Sequence, residues 1–165
     1  MPTLAEAFAA QAGSDLDAFD TLSASTLPTC QRLHYLQMWL EKLCKAYLWL
    51  PDLPEGAEDL RMRHNVVDKV LPRMISEHWR RIGFDQRPDI TAIRALCREI
   101  DLLHPQVDDN GRRPDNVEYP WVAAGGAATP PSTWPFPLAA RLNTHTGRLL
   151  MKAATALTRA PAIFV

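Results

Sequence analysis

Leu33, Leu36, Leu40, Leu43, Tyr47 and Leu50 recur at alternating spacings of three and four. That period puts them on one face of an α-helix. The pattern predicts a helix from Thr29, a capping residue behind Pro28, to about Leu50, where Pro51 and Pro54 end it. Val67, Val70, Leu71, Met74, Ile75, His78 and Ile82 predict a second helix over 63–82, with Pro72 as a kink inside it and Gly83 as its stop. Ile93, Leu96, Cys97, Ile100 and Leu103 predict a third, opened by Pro88-Asp89 and closed before Pro105. At the start of the chain the pattern gives a short helix, Leu4 to Ala12, ended by Gly13, then another turn or two over 15–22. Residues 106–137 read as a long loop, and its second half, Ala123 to Pro137, is a Pro/Gly/Ala linker expected to be mobile. A last helix is expected over 137–159, and the apolar tail 161–165 is expected to dock or fray. No segment reads as a strand. The expectation is an all-α protein, a helical bundle of four or five helices with a long Pro/Gly-rich loop before the last one.

With 165 residues, 47% hydrophobic and 22% charged, one domain over 1–165 is expected. The net charge of −1 gives no reason for strong nonspecific binding to nucleic acid or to an acidic membrane. The distribution is less even. Residues 1–29 carry four acids and no Lys or Arg; residues 122–165 carry four Lys or Arg and no acid. Cys30, Cys44 and Cys97 are odd in number, show no CxxC spacing, and two of them sit among apolar helix positions. That pattern fits a reducing compartment better than a disulfide framework. The first residues lack a basic n-region, and no apolar run approaches the roughly 20 residues of a membrane span. The reading is a cytoplasmic protein with no membrane role.

Chemistry-bearing residues concentrate in the long loop. Arg112, Arg113, Asp115, Asn116, Glu118, Tyr119 and Trp121 crowd one stretch of the long loop. The arginines suit a phosphate, the acids a hydroxyl or amine, and the aromatic rings a stacked base. The same stretch also reads as a turn pinned by Pro114 and Pro120, with the rings covering the end of the helices. His64 and Asp68 share a helix face, but two ligands do not make a metal site. No Gly-rich phosphate loop, nucleophile elbow or HExxH is present, and neither a metal nor a cofactor is expected.

The segment Glu41-Lys42-Leu43-Cys44-Lys45-Ala46, with the later His64-Asn65-Val66-Val67, resembles the HEPN family of small helical domains. The resemblance covers about residues 30–104. It implies a long helix beside one opened by a His-containing segment. It also implies a toxin–antitoxin or antiviral-defence setting and a homodimer or a protein partner. Many HEPN proteins are metal-independent ribonucleases with an Arg and, a few residues on, a His; the resemblance points to Arg98 and His104, which match that spacing, lie about 120° apart around a helix, and have as a plain alternative Arg98 paired with Asp101 and His104 at the helix C-terminus. Glu99 follows Arg98 where the family usually has a polar Asn. Two readings stand. One is a non-catalytic interaction module that binds RNA or a nucleotide. The other is a metal-independent endoribonuclease using Arg98 and His104. The pair Glu41 and Lys45 also reads as an ordinary i,i+4 surface pair.

Overall fold

The computed structural model describes residues 1–51, 58–107, 116–122 and 125–160. The protein is all-α, with helices α1 (Leu4–Ser23), α2 (Thr29–Leu48), α3 (Glu58–Arg61), α4 (Val67–His78), α5 (Ile90–Asp101), α6 (Pro137–Leu142) and α7 (His145–Arg159). Among the described residues seven helices stand where four or five are expected, because two are short and one expected helix is broken. No helix among the described residues is long and apolar enough to cross a membrane.

The first helix does not stop at Gly13. It runs unbroken to Ser23. A helical glycine costs about 1 kcal/mol relative to alanine. Burial of Ala12 and Leu16 against α2 on either side of it outweighs that cost. Thr3 and Glu6 close a capping box at its start, the Thr3 hydroxyl accepting from the Glu6 N–H at 3.2 Å and the Glu6 carboxylate from the Thr3 N–H at 2.7 Å.

Helix α2 is central. It packs on α1, α4 and α5, and Leu33, Leu36, Trp39, Leu40 and Leu43 are all essentially inaccessible. The predicted apolar face is there, but burial extends well around the helix, taking in Gln37 and Glu41. α4 is shorter than expected and runs through Pro72. α5 opens as predicted, with the Asp89 carboxylate accepting from the N–H groups of Thr91 and Ala92.

The expected last helix divides. The Thr144 hydroxyl caps α7 by accepting from the Gly147 N–H at 3.2 Å, and α6 ends at Leu142. A Cβ at Gly147 would overlap the carbonyl oxygens of Arg141 and Leu142, so only glycine permits this close turn. Within the long loop, Trp121–Val122 and Ala128–Thr129 form a two-residue antiparallel ladder, Trp121 facing Thr129. No strand was expected there. The ladder follows from turn chemistry: Gly125 and Gly126 both take positive φ, which returns the chain on itself.

Candidate functional site

Three residues distant in sequence meet where α2, the start of α4 and the end of α5 come together. Glu41 lies on α2 and is 6% exposed. Its carboxylate accepts from Lys45 Nζ at 2.7 Å, from Gln37 Nε2 at 2.6 Å and from His64 Nδ1 at 3.2 Å. His64 stands between α3 and α4. It is held there because Arg61 donates to the Leu48 carbonyl at 2.8 Å and stacks its guanidinium over Trp49 at 4.3 Å. His104 follows α5, and its ring lies parallel on that of His64, centroids 4.0 Å apart and planes within 9°. The expected i,i+4 pair of Glu41 and Lys45 exists, but it is buried rather than a surface pair.

Electrostatics set the protonation of this group. Burial pushes the Glu41 carboxyl up, but the Lys45 hydrogen bond and charge, the Gln37 hydrogen bond and the His64 charge together hold it below the usual range. Glu41 is therefore ionised, and His64 Nδ1 is the donor toward it. Burial lowers the His104 pKa, and His64 lowers it further, against the opposing pull of Glu41 and Glu118. His104 is neutral at neutral pH. The Gln106 N–H points at its Nδ1 at 3.2 Å, so the ring proton sits on Nε2. His104 thus carries an N–H in the same group as the Lys45 ammonium and the Glu41 carboxylate that Lys45 neutralises.

Glu41, His64 and His104 place one ligand atom each within 4.8 Å of one another, and all three residue types bind metals. The orientation is not that of a metal centre. Imidazole lone pairs lie in the ring plane, and two parallel stacked rings do not aim theirs at one point. Glu41 is already held by Lys45, and His104 Nδ1 by the Gln106 N–H.

Behind the cluster, Asp101 reaches from α5 to cap α4. Val66 has no side-chain cap to offer. Asp101 Oδ1 accepts from the Val67 N–H at 3.0 Å and Oδ2 from the Asp68 N–H at 2.9 Å. Burial pushes the Asp101 carboxyl up, the two N–H groups pull it back, and the adjacent Asp68 carboxyl raises it again, to about 8. Because the folded pKa lies above the unfolded one, the folded state holds this proton more tightly. Its contribution to stability is full below the ordinary 3.8 and is lost as pH rises through 8. Urea titrations over that window should show unfolding free energy falling with pH, and Asp68→Asn should flatten the fall. The lowered His104 pKa adds a rise of opposite sign, so the comparison decides: an Asp68→Asn profile with the same slope as wild type would contradict the assignment.

The sequence-derived residues are only partly brought together. Arg98 is exposed, and no described contact joins it to His104. Glu99, the acid beside it, turns to pair with Arg141 of α6. Asp101 does not pair with Arg98, being committed to the α4 cap. His64 engages Glu41 rather than Asp68. Arg112, Arg113 and Asp115 lie outside the described residues. Asn116 is buried and shapes a turn: its Oδ1 accepts from the N–H groups of Glu118 and Tyr119, and its Nδ2 donates to the Tyr119 carbonyl. Glu118 lies 3.6 Å from His34 Nδ1 and influences His104, so this turn borders the imidazole pair. Tyr119 is 59% exposed, whereas Trp121 is buried edge-on against Trp134 at 5.5 Å. Trp121 is therefore a packing residue, and Tyr119 the available ring. Cys44 and Cys97 are buried thiols with pKa values raised by burial, the inert small hydrophobes their positions suggested.

Gln37, Glu41, Lys45 and His64 were missed as a site. Glu41, Lys45 and His64 stand in the sequence as carriers of the family resemblance, and Gln37 and Glu41 as polar residues beside the apolar stripe of α2; neither signal says that they meet. Comparison with family models, with curated proteins and with solved structures gives no match.

Proposed function

We propose that this protein is a HEPN-like helical-bundle module that binds RNA or a nucleotide through phosphate, without cleaving it, as part of a homodimer or a larger defence or toxin–antitoxin type assembly. The observation that carries the reading is the stacked, partly exposed His64–His104 pair, which Arg98 does not join. The His104 Nε2–H is the donor to a phosphate oxygen, Lys45 offsets the Glu41 carboxylate that would otherwise repel it, and Tyr119 offers an exposed ring for a base. The family resemblance supplies the expectation of RNA; fold by itself does not choose a ligand.

The ribonuclease reading keeps one supporting observation. His104 is neutral, as a general base must be, and exposed Arg98 is free to face a second protomer. Fluorescence anisotropy with a labelled uridine-rich RNA and with ATP, in chelator, tests both readings. Salt-sensitive binding is expected, weakened about tenfold by His104→Ala through loss of a charge-assisted hydrogen bond, with the RNA intact. No binding to either probe overturns the binding module. Chelator-resistant cleavage abolished by His104→Ala and by Arg98→Ala would replace it with the endoribonuclease.

A further inference from the structure

A cavity of about 470 Å³ lies at the other end of α5, between the Gly83–Asp89 turn and the first half of α7. That volume is in the range of small-molecule sites. Its walls differ in character. Leu149 and Phe84, 9% exposed, supply an apolar surface, and inaccessible Ile93 packs within the same wall. Arg87 and Lys152 supply two cations. Arg87 is braced at the wall by donating to Ser76 Oγ at 2.7 Å. Lys152 reaches back over the Phe84 ring, 5.1 Å from its centroid, and donates to the Gly83 carbonyl at 3.3 Å.

Two acids also line the space, Asp85 and Asp89. Asp89 is committed, its carboxylate taking two N–H groups at the start of α5. Its charge is offset by the positive end of that helix. Asp85 is thus the one acid not spent on a helix cap, against two cations and His145. The α7 side carries no acid at all, since none occurs after residue 121. Formally the two cations and two acids balance, but Asp89 spends its carboxylate on the start of α5, which leaves Arg87 and Lys152 against Asp85 beside an apolar wall, a lining that suits a ligand with an apolar and an anionic part.

We propose that this cavity binds a small organic anion with an apolar body, of the aryl or short alkyl phosphate or carboxylate class. The apolar part rests on Leu149 and the accessible edge of Phe84, and the anionic group meets Arg87 and Lys152. Nothing here depends on the His64–His104 pair. Ile93 stands in the first turn of α5 and His104 beyond its last, about 16 Å apart along the helix axis.

Amide chemical-shift mapping of the full chain tests this, with phenyl phosphate titrated to about 10 mM, inorganic phosphate and phenol as half-ligands, and benzoate as the carboxylate. Saturable shifts are expected at Gly83, Phe84, His145 and Thr146, with phenyl phosphate binding more tightly than phosphate or phenol alone. Lys152→Glu and Arg87→Glu should each weaken it about tenfold, the worth of one charged hydrogen bond. Arg87→Glu removes no contact to the apolar core, so it remains informative if Lys152→Glu fails to fold. The proposal is overturned by an absence of saturable shifts, by shifts centred elsewhere, or by unchanged affinity in a folded variant. Shifts centred on His64 and His104 would instead support the phosphate site proposed above, so the two ideas fail separately.

Discussion

Glu41→Ala is expected to destabilise the protein by about 3–5 kcal/mol, the range for removing one partner of a buried ion pair. Three donors converge on that carboxylate, and two of them have no second acceptor among the contacts described. The Lys45 side chain is 12% exposed and would be left as a buried cation. Gln37 is inaccessible, and its Oε1 already lacks a partner, so losing the bond from Nε2 would strand the whole amide. The His64 ring would lose the acceptor that orients it, and the stack with His104 would loosen. For a chain of this size the thermal midpoint should fall by roughly 10 °C. Glu41→Gln keeps the shape and one acceptor oxygen, and its loss should be smaller. Denaturant titration of both variants checks this, and a loss under about 1 kcal/mol for Glu41→Ala would show that the cluster is solvated.

Trp39→Ala should cost a similar amount, about 3–5 kcal/mol, for a different reason. The ring is inaccessible and joins three helices. It meets Phe19 of α1 at 5.8 Å, and its Nε1–H donates to Thr158 Oγ1 of α7 at 2.7 Å. Truncation leaves a cavity the size of an indole that rigid helices fill poorly. Trp39→Phe separates the two contributions. It retains most of the volume and loses one hydrogen bond, so its cost should be nearer 1 kcal/mol plus a modest packing loss. Equal losses for Phe and Ala would mean that the hydrogen bond to Thr158 dominates. With an expected total stability of about 5–15 kcal/mol, Trp39→Ala leaves a marginal fold.

The site was much less legible than the helices around it. Asp89 as a cap and the α2 stripe are local features, visible within one or two helical turns. Gly13 misled because a local breaker was weighed without the packing of α1 on α2. Asn143-Thr144 did the opposite: the cap that divides α6 from α7 is a local motif that the apolar periodicity obscured. Trp121 and Tyr119, adjacent but for Pro120, look alike in sequence as stacking rings. Only the turn built by Asn116 and the short ladder after it send one inward and the other out.

An all-α chain, the face that α2 buries, the start of α5 and inert buried thiols are legible from the residues alone. These follow from periodicity, capping and composition, which act over a few residues. Tertiary structure decided that Glu41, His64 and His104 form one group, that Asp101 caps α4 instead of pairing with Arg98, and that a cavity opens between the Gly83–Asp89 turn and α7. Those residues are separated by tens of positions, and nothing in their local spacing encodes their meeting. Their juxtaposition arises when the apolar faces of α2, α4, α5 and α7 are buried together, and the polar groups caught in that burial must find partners across the chain.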